Sequence, residues 1–169
     1  MEDRYLIISG TNRKDSNTRK VAHQYLDTLY EKKIRTEILT LEGMDLSEHT
    51  PQFDLMEKEK LLPAKKIIFV VPEYNGSFPG VLKTMLDLSD YKKTWLWKKA
   101  LLVGIATGRS GNVRGLEHLT SILNYMKVIV HPNKLPISSV HKLLNGKSAI
   151  DDEETRKAIN TQIDEFIKF

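Results

Sequence analysis

Three short stretches of the chain concentrate residue types that bind ligands. The first, Ser9-Gly10-Thr11-Asn12-Arg13-Lys14-Asp15-Ser16-Asn17-Thr18-Arg19, mixes hydroxyls, amides, cations and one flexible glycine just ahead of a helical pattern. Backbone N–H groups at a helix start have no partner inside the helix and point toward an anion. The hydroxyls of Thr11, Ser16 and Thr18 can donate to the same oxygens, so this stretch suits a phosphate. A hydrogen bond to a charged group contributes about 1.5–3 kcal/mol, against about 0.3–1 kcal/mol for the helix end. The convergent side chains therefore dominate. Ser16 also suits the N-cap of the helix that follows, and capping and phosphate binding are compatible.

The second stretch is Pro72-Glu73-Tyr74-Asn75-Gly76-Ser77-Phe78-Pro79-Gly80. Two prolines and two glycines impose an irregular backbone, which frees N–H and C=O groups to face a ligand instead of a strand ladder. A planar heterocycle with donors and acceptors along one edge would suit it; the plainer alternative is a structured turn with Tyr74 as surface filler. The third stretch, Thr107-Gly108-Arg109-Ser110-Gly111-Asn112-Val113-Arg114-Gly115, is again glycine-rich before a helical pattern.

The elements that must position these stretches read as alternating strands and helices. Tyr5–Ile8, Ile67–Val71 and Ala100–Ala106 are continuous apolar runs, as expected of strands buried on both faces of a parallel sheet. Ile34–Leu39 alternates more and reads as an edge strand, and Val128–Val130 as the last strand. Helical spacing predicts a helix over Ser16–Lys32, one after Pro79 with Val81, Leu82, Met85 and Leu86 inward, and one carrying Leu116, Leu119, Ile122, Leu123 and Met126. Glu42–Ala64 reads as a long connection with a helical turn near Glu57–Leu62. A closing helix follows the acidic run Asp151–Glu154, with Ile159, Ile163, Phe166 and Ile167 as its buried stripe. The pattern predicts a single α/β domain over residues 1–169, a three-layer sandwich around a five-stranded parallel sheet. If the second strand is the edge, the order is 2-1-3-4-5, and all three polar stretches leave the carboxyl ends of strands 1, 3 and 4, where such sheets bind ligands.

Composition narrows the chemistry. The 169 residues are 40% apolar and 28% charged, enough for one core without staples, and there is no cysteine, which excludes thiolate catalysis, Cys-ligated metals and disulfides. The net charge of +4 is spread over scattered pairs such as Lys32-Lys33, Lys65-Lys66, Lys92-Lys93 and Lys98-Lys99, a solvated surface rather than a nucleic-acid or membrane patch. The start, Met1 to Asn12, holds an apolar run too short for a signal peptide or a membrane span, so a cytoplasmic protein is expected. His23, His49, His118, His131 and His141 lack ligand spacing, and no metal site is expected. There is no GxGxxG, no GxSxG and no complete P-loop ahead of Gly146-Lys147-Ser148; Asn75-Gly76-Ser77 fits a glycosylation pattern without a secretory context. Trp95 and Trp97 read as packing residues, with a subunit contact as the rival.

The stretch Ser9–Arg19, the run PEYNGSxPGxLKTxLD from Pro72 to Asp87 and the glycine-rich third stretch resemble the NADPH-dependent FMN reductase family. The resemblance covers essentially the whole chain and is most specific in Pro72–Asp87. It implies a flavodoxin-like fold and FMN as cofactor, with NADPH or NADH as hydride donor to a flavin, quinone, azo compound or similar acceptor. By that resemblance Thr11, Arg13, Ser16, Asn17 and Thr18 would hold the FMN phosphate. Pro72, Glu73, Tyr74, Asn75, Gly76 and Ser77 would line the ring, and Gly108, Arg109 and Ser110 would approach its other side. Asn17-Thr18 stands where relatives often show an aromatic followed by Asn, and Thr107-Gly108 replaces a common Gly-Gly. The hydride step needs no side-chain acid or base, so no catalytic residue is named. Arg13, Arg109 and Arg114 are candidates for a nucleotide phosphate, with a surface position the preferred reading for Arg114. The resemblance also implies a homodimer or homotetramer. Two other readings stand: a flavodoxin-like FMN electron carrier without NAD(P)H activity, disfavoured by the basic charge and the missing T-x-T-G-x-T pattern, and a cofactor-free interaction module.

Overall fold

Side chains alternate between the two faces of a strand, so a strand covered on both faces must be apolar at consecutive positions. That requirement organises the computed structural model, which describes residues 3–169; Met1 and Glu2, the first of the charged start read above, lie outside the described residues. In chain order the elements are Tyr5–Ser9 (β1), Asn17–Glu31 (α1), Thr36–Thr40 (β2), Pro51–Met56 (α2), Lys66–Pro72 (β3), Gly80–Leu88 (α3), Tyr91–Thr94 (α4), Lys99–Ile105 (β4), Val113–Tyr125 (α5), Ile129–Val130 (β5), Leu135–Ile137 (β6), Val140–Leu144 (α6) and Glu153–Lys168 (α7). Leu6 and Ile8 of β1 join one core cluster with Ile67, Phe69, Val71, Ala100 and Leu102, covered by α2, α3, Trp95 and α5. Tyr5 and Ile7 join the other with Ile68, Val70, Leu101 and Val103, covered by α1, α6 and α7.

The strand order is β2-β1-β3-β4-β5, all parallel, the order expected if the second strand is the edge. β2 is the edge, with only Leu39 of its five residues buried. The expected five strands become six because the strand beyond β4 is split. β5 pairs with Lys99 and Ala100, then β6 resumes opposite Val103, Gly104 and Ile105. Pro132 falls in the break and Pro136 within β6, and neither has an N–H to give a ladder. Gln162 of α7, wholly buried, fills the gap: its Nε2 donates to Leu102 O at 3.1 Å and Asn133 O at 2.8 Å, and its Oε1 accepts from the Tyr25 hydroxyl at 2.5 Å. Burial holds the Tyr25 phenol well above its ordinary titration range.

The long connection is more ordered than expected. Thr50 caps α2 through Phe53 N (3.1 Å) with Pro51 in the first turn, and α2 runs on into a π-helical turn over Glu57–Leu61. Lys98 closes that end by donating its ammonium to the carbonyls of Leu61 and Leu62, and burial there pushes its pKa down to about 8. Pro79 occupies the N-cap of α3, one residue earlier than the expected first turn.

Candidate functional site

Parallel strands send their following loops to one rim, so the stretches after β1, β3 and β4 are neighbours by construction. The chain leaves β1 through Gly10, whose N–H bonds Val70 O at 2.9 Å. A Cβ there would sit 3.1 Å from Leu82 Cδ2 and 3.2 Å from Val70 O, which explains the glycine. Thr11, 1% exposed, accepts the Arg13 N–H (3.2 Å) and shares a 2.6 Å hydrogen bond with the Tyr74 hydroxyl. The Arg13 guanidinium lies 4.1 Å from the centre of the Tyr74 ring. Tyr74 thus ties the first stretch to the second from two sides. Ser16 does cap α1, accepting the Arg19 N–H at 3.1 Å, and its own proton stays free to donate. Asn17 is half-buried, and Thr18, 2% exposed, sits in the first turn of α1. Among the described residues the N–H groups of Asn12, Lys14, Asp15 and Ser16 have no hydrogen-bond partner.

The second stretch forms a tight two-residue turn. Tyr74 and Ser77 exchange both backbone hydrogen bonds, at 2.8 and 3.1 Å, with Asn75 at φ 51° and Gly76 at φ 78°. Two successive left-handed residues are what Asn-Gly tolerates. The third stretch closes on it: the Glu73 carboxylate accepts the Ser110 hydroxyl at 2.6 Å, and Glu73 N–H bonds Ile105 O at 2.8 Å. Thr107, Gly108, Arg109 and Ser110 are exposed at the rim, and Gly108 O accepts the Ser139 N–H at 2.9 Å. All three stretches therefore meet at one end of the sheet.

Three residues not expected among the FMN contacts join them, of which Arg114 was expected only as a nucleotide-phosphate candidate. Asn112, fully buried in the left-handed conformation at φ 68°, donates from Nδ2 to Val71 O at 3.0 Å. His118 on α5 pairs its Nδ1 with Ser77 Oγ at 2.9 Å, and Arg114 one turn earlier lies against Gly76. Their signal in the sequence is the i, i+4 spacing of Arg114 and His118 just after a glycine-rich loop. Ser9 Oγ and Asn112 Oδ1 are buried at this end without a partner among the described residues.

The donor set fits a phosphorylated planar ligand: unpaired N–H groups, free hydroxyls and an arginine on the first stretch, and a rigid turn with exposed backbone groups on the second. A cleft of 980 Å³ at the opposite end of the sheet does not, since Arg4 and Glu37 (2.8 Å) and Lys32 and Asp164 (2.7 Å) there already pair with each other or with neighbours. Among the described residues no helix is long and apolar enough to cross a membrane.

Fold and rim together define a flavodoxin-like α/β protein whose polar loops gather at the carboxyl ends of its central strands. Residues 4–142 match the family described as NADPH-dependent FMN reductase, and the chain belongs to it. It is an FMN-dependent NAD(P)H oxidoreductase. It is 25% identical over 169 residues to a 2-hydroxy-1,4-benzoquinone reductase of Burkholderia sp, covering 95% of this chain and 92% of that protein. It is 28% identical over 179 residues to the FMN-dependent NADPH-azoreductase of Staphylococcus aureus, covering 97% and 93%. The solved structure of the flavoenzyme NAD(P)H:(acceptor) oxidoreductase FerB from Paracoccus denitrificans superposes with a TM-score of 0.81 at 21% identity, covering 99% of this chain and 96% of that one, a likeness of fold.

Proposed function

We propose that residues 1–169 act as one FMN-binding domain whose first stretch holds the phosphate and whose turn holds the ring, and that it reduces small planar acceptors of the quinone, azo or flavin class. Thr11, Arg13, Ser16, Asn17 and Thr18 surround the phosphate; Pro72, Glu73, Tyr74, Asn75, Gly76 and Ser77 lie along the ring; Gly108, Arg109 and Ser110 flank its other side. The observation that carries this reading is the hydrogen-bonded junction of the three stretches, Thr11 with Tyr74 at 2.6 Å and Glu73 with Ser110 at 2.6 Å. The acceptor class is supported by the relatives, one a benzoquinone reductase and one an azoreductase.

When bound, FMN supplies the two-electron chemistry, accepting hydride from NADPH or NADH and passing it on. The chain's part is orientation. The Asn75-Gly76 turn presents backbone groups whose direction is held by the Tyr74–Ser77 bridge. Thr11 and Arg13 hold Tyr74 from one side, Ser110 holds Glu73 from the other, and the exposed rim of Thr107–Ser110 leaves room for a planar reactant. We place the enzyme in the cytoplasm, with the NAD(P)H it consumes, as a homodimer or homotetramer.

The test is a spectrum of the purified protein with FMN, then anaerobic mixing with NADPH. The flavin absorbance is expected to bleach on mixing and return on adding a quinone. A protein that binds no FMN would end this reading, and one that binds FMN but does not bleach would be an electron carrier.

A further inference from the structure

Arg114 has no part in the FMN contacts above, yet its side chain lies against the turn. A Cβ built on Gly76 would sit 3.2 Å from Arg114 Nη1 and 3.8 Å from its Cδ, so the side chain lies directly on the glycine of the turn. Among the described residues no carboxylate pairs with it. Glu117, next along α5, is taken by Lys134 at 2.7 Å, and Glu73 accepts from Ser110. Two contacts fix α5 against the turn: Asn112 at its start donates to Val71 O at 3.0 Å, and His118 bonds Ser77 at 2.9 Å. A permanent, unneutralised cation is thereby held against the segment that lies along the ring.

We propose that Arg114 sets how readily the bound flavin is reduced, a role that rests on the FMN site described above. Reduction by hydride delivers two electrons and one proton, so the ring gains one negative charge while the nicotinamide becomes cationic. A cation close to the ring stabilises that product relative to the oxidised form. Arginine keeps its charge throughout the physiological range, so the effect persists with pH. His118 acts through Ser77 as a positioning residue: it keeps α5, and with it the charge, against the turn. Gly76 serves the same end, since a side chain there would displace the guanidinium.

The experiment compares wild type, Arg114→Gln, Arg114→Lys and His118→Phe by two readouts: the dissociation constant of oxidised FMN from fluorescence quenching, and the midpoint potential of bound FMN from an anaerobic dye-coupled titration. Arg114 is exposed, so its replacement spares the core. In Arg114→Gln the oxidised cofactor is expected to bind within about threefold of wild type, while the reduced form binds about tenfold less tightly, a negative shift of ~30 mV for a two-electron couple. Arg114→Lys is expected to keep most of the wild-type potential, and His118→Phe to shift it part of the way in the same direction. An unchanged potential in Arg114→Gln overturns the proposal, and a raised KM for NADPH alone would make Arg114 a nucleotide-phosphate contact instead. Failure of wild type to bind FMN is a separate result that removes the site itself.

Discussion

Arg13 and Tyr74 show how much one pair of side chains does here. The guanidinium rests on the ring at 4.1 Å while the ring's hydroxyl reaches Thr11 at 2.6 Å, so one aromatic residue links the stretch read as a phosphate site to the stretch read as a ring site. The amino-acid pattern marks both stretches but not this link, because its ends are 63 residues apart and nothing local to either specifies the other. Arg13→Ala is expected to weaken FMN binding about 10- to 100-fold, the equivalent of losing about 1.5–3 kcal/mol of charged hydrogen bonding. Arg13→Lys should recover only part of that, since an ammonium lacks the planar fork and stacks less well. Fluorescence titration of FMN checks both, and an affinity equal to wild type would remove Arg13 from the phosphate site. Ser16 illustrates a different economy: its oxygen caps α1 and its hydrogen remains available to a ligand.

At the scale of elements, the split outer strand is the feature that local pattern misses. Val128–Val130 is legible as a strand, but Leu135–Ile137 carries Pro136 and reads as loop. It pairs with β4 because the neighbouring backbone is already laid out for it. The break exposes Leu102 O and Asn133 O to the interior, and Gln162 satisfies both while accepting from Tyr25. A buried polar group left without a partner costs about 1–3 kcal/mol. Gln162→Leu strands three such groups, and is expected to lower the unfolding free energy by at least about 2 kcal/mol. Urea titration with an unchanged m value would report it; a loss below about 0.5 kcal/mol would mean that water replaces the amide. The helices, by contrast, were largely legible: α1, α3, α5 and α7 follow the spacing of their buried stripes, while α2 was hidden in a connection whose Thr-Pro start is its clearest sign.

For the whole molecule, the two tryptophans part company. Trp95 is wholly buried, its indole N–H on Ser89 Oγ at 2.6 Å, whereas Trp97 is 68% exposed with Lys127 over its ring at 5.8 Å and Tyr125, 83% exposed, ending α5. Such aromatics suit a subunit contact. Light scattering on the purified protein is expected to give the mass of a dimer or tetramer, and Trp97→Ser to reduce it; an unchanged assembly would place the contact elsewhere. What the amino-acid order determined by itself is everything that depends on near neighbours: buried runs for β1, β3 and β4, helical stripes between them, an edge strand at β2, and polar stretches at Ser9–Arg19, Pro72–Gly80 and Thr107–Gly115. Those follow from side-chain period and turn chemistry, which act over a few residues. Only the tertiary structure decided that Tyr74 meets Thr11, that Ser110 meets Glu73, that α5 lays Arg114 and His118 on the turn, and that Gln162 closes the broken edge. Each of these joins residues at least 29 positions apart, and such contacts exist only once the sheet has brought distant segments together.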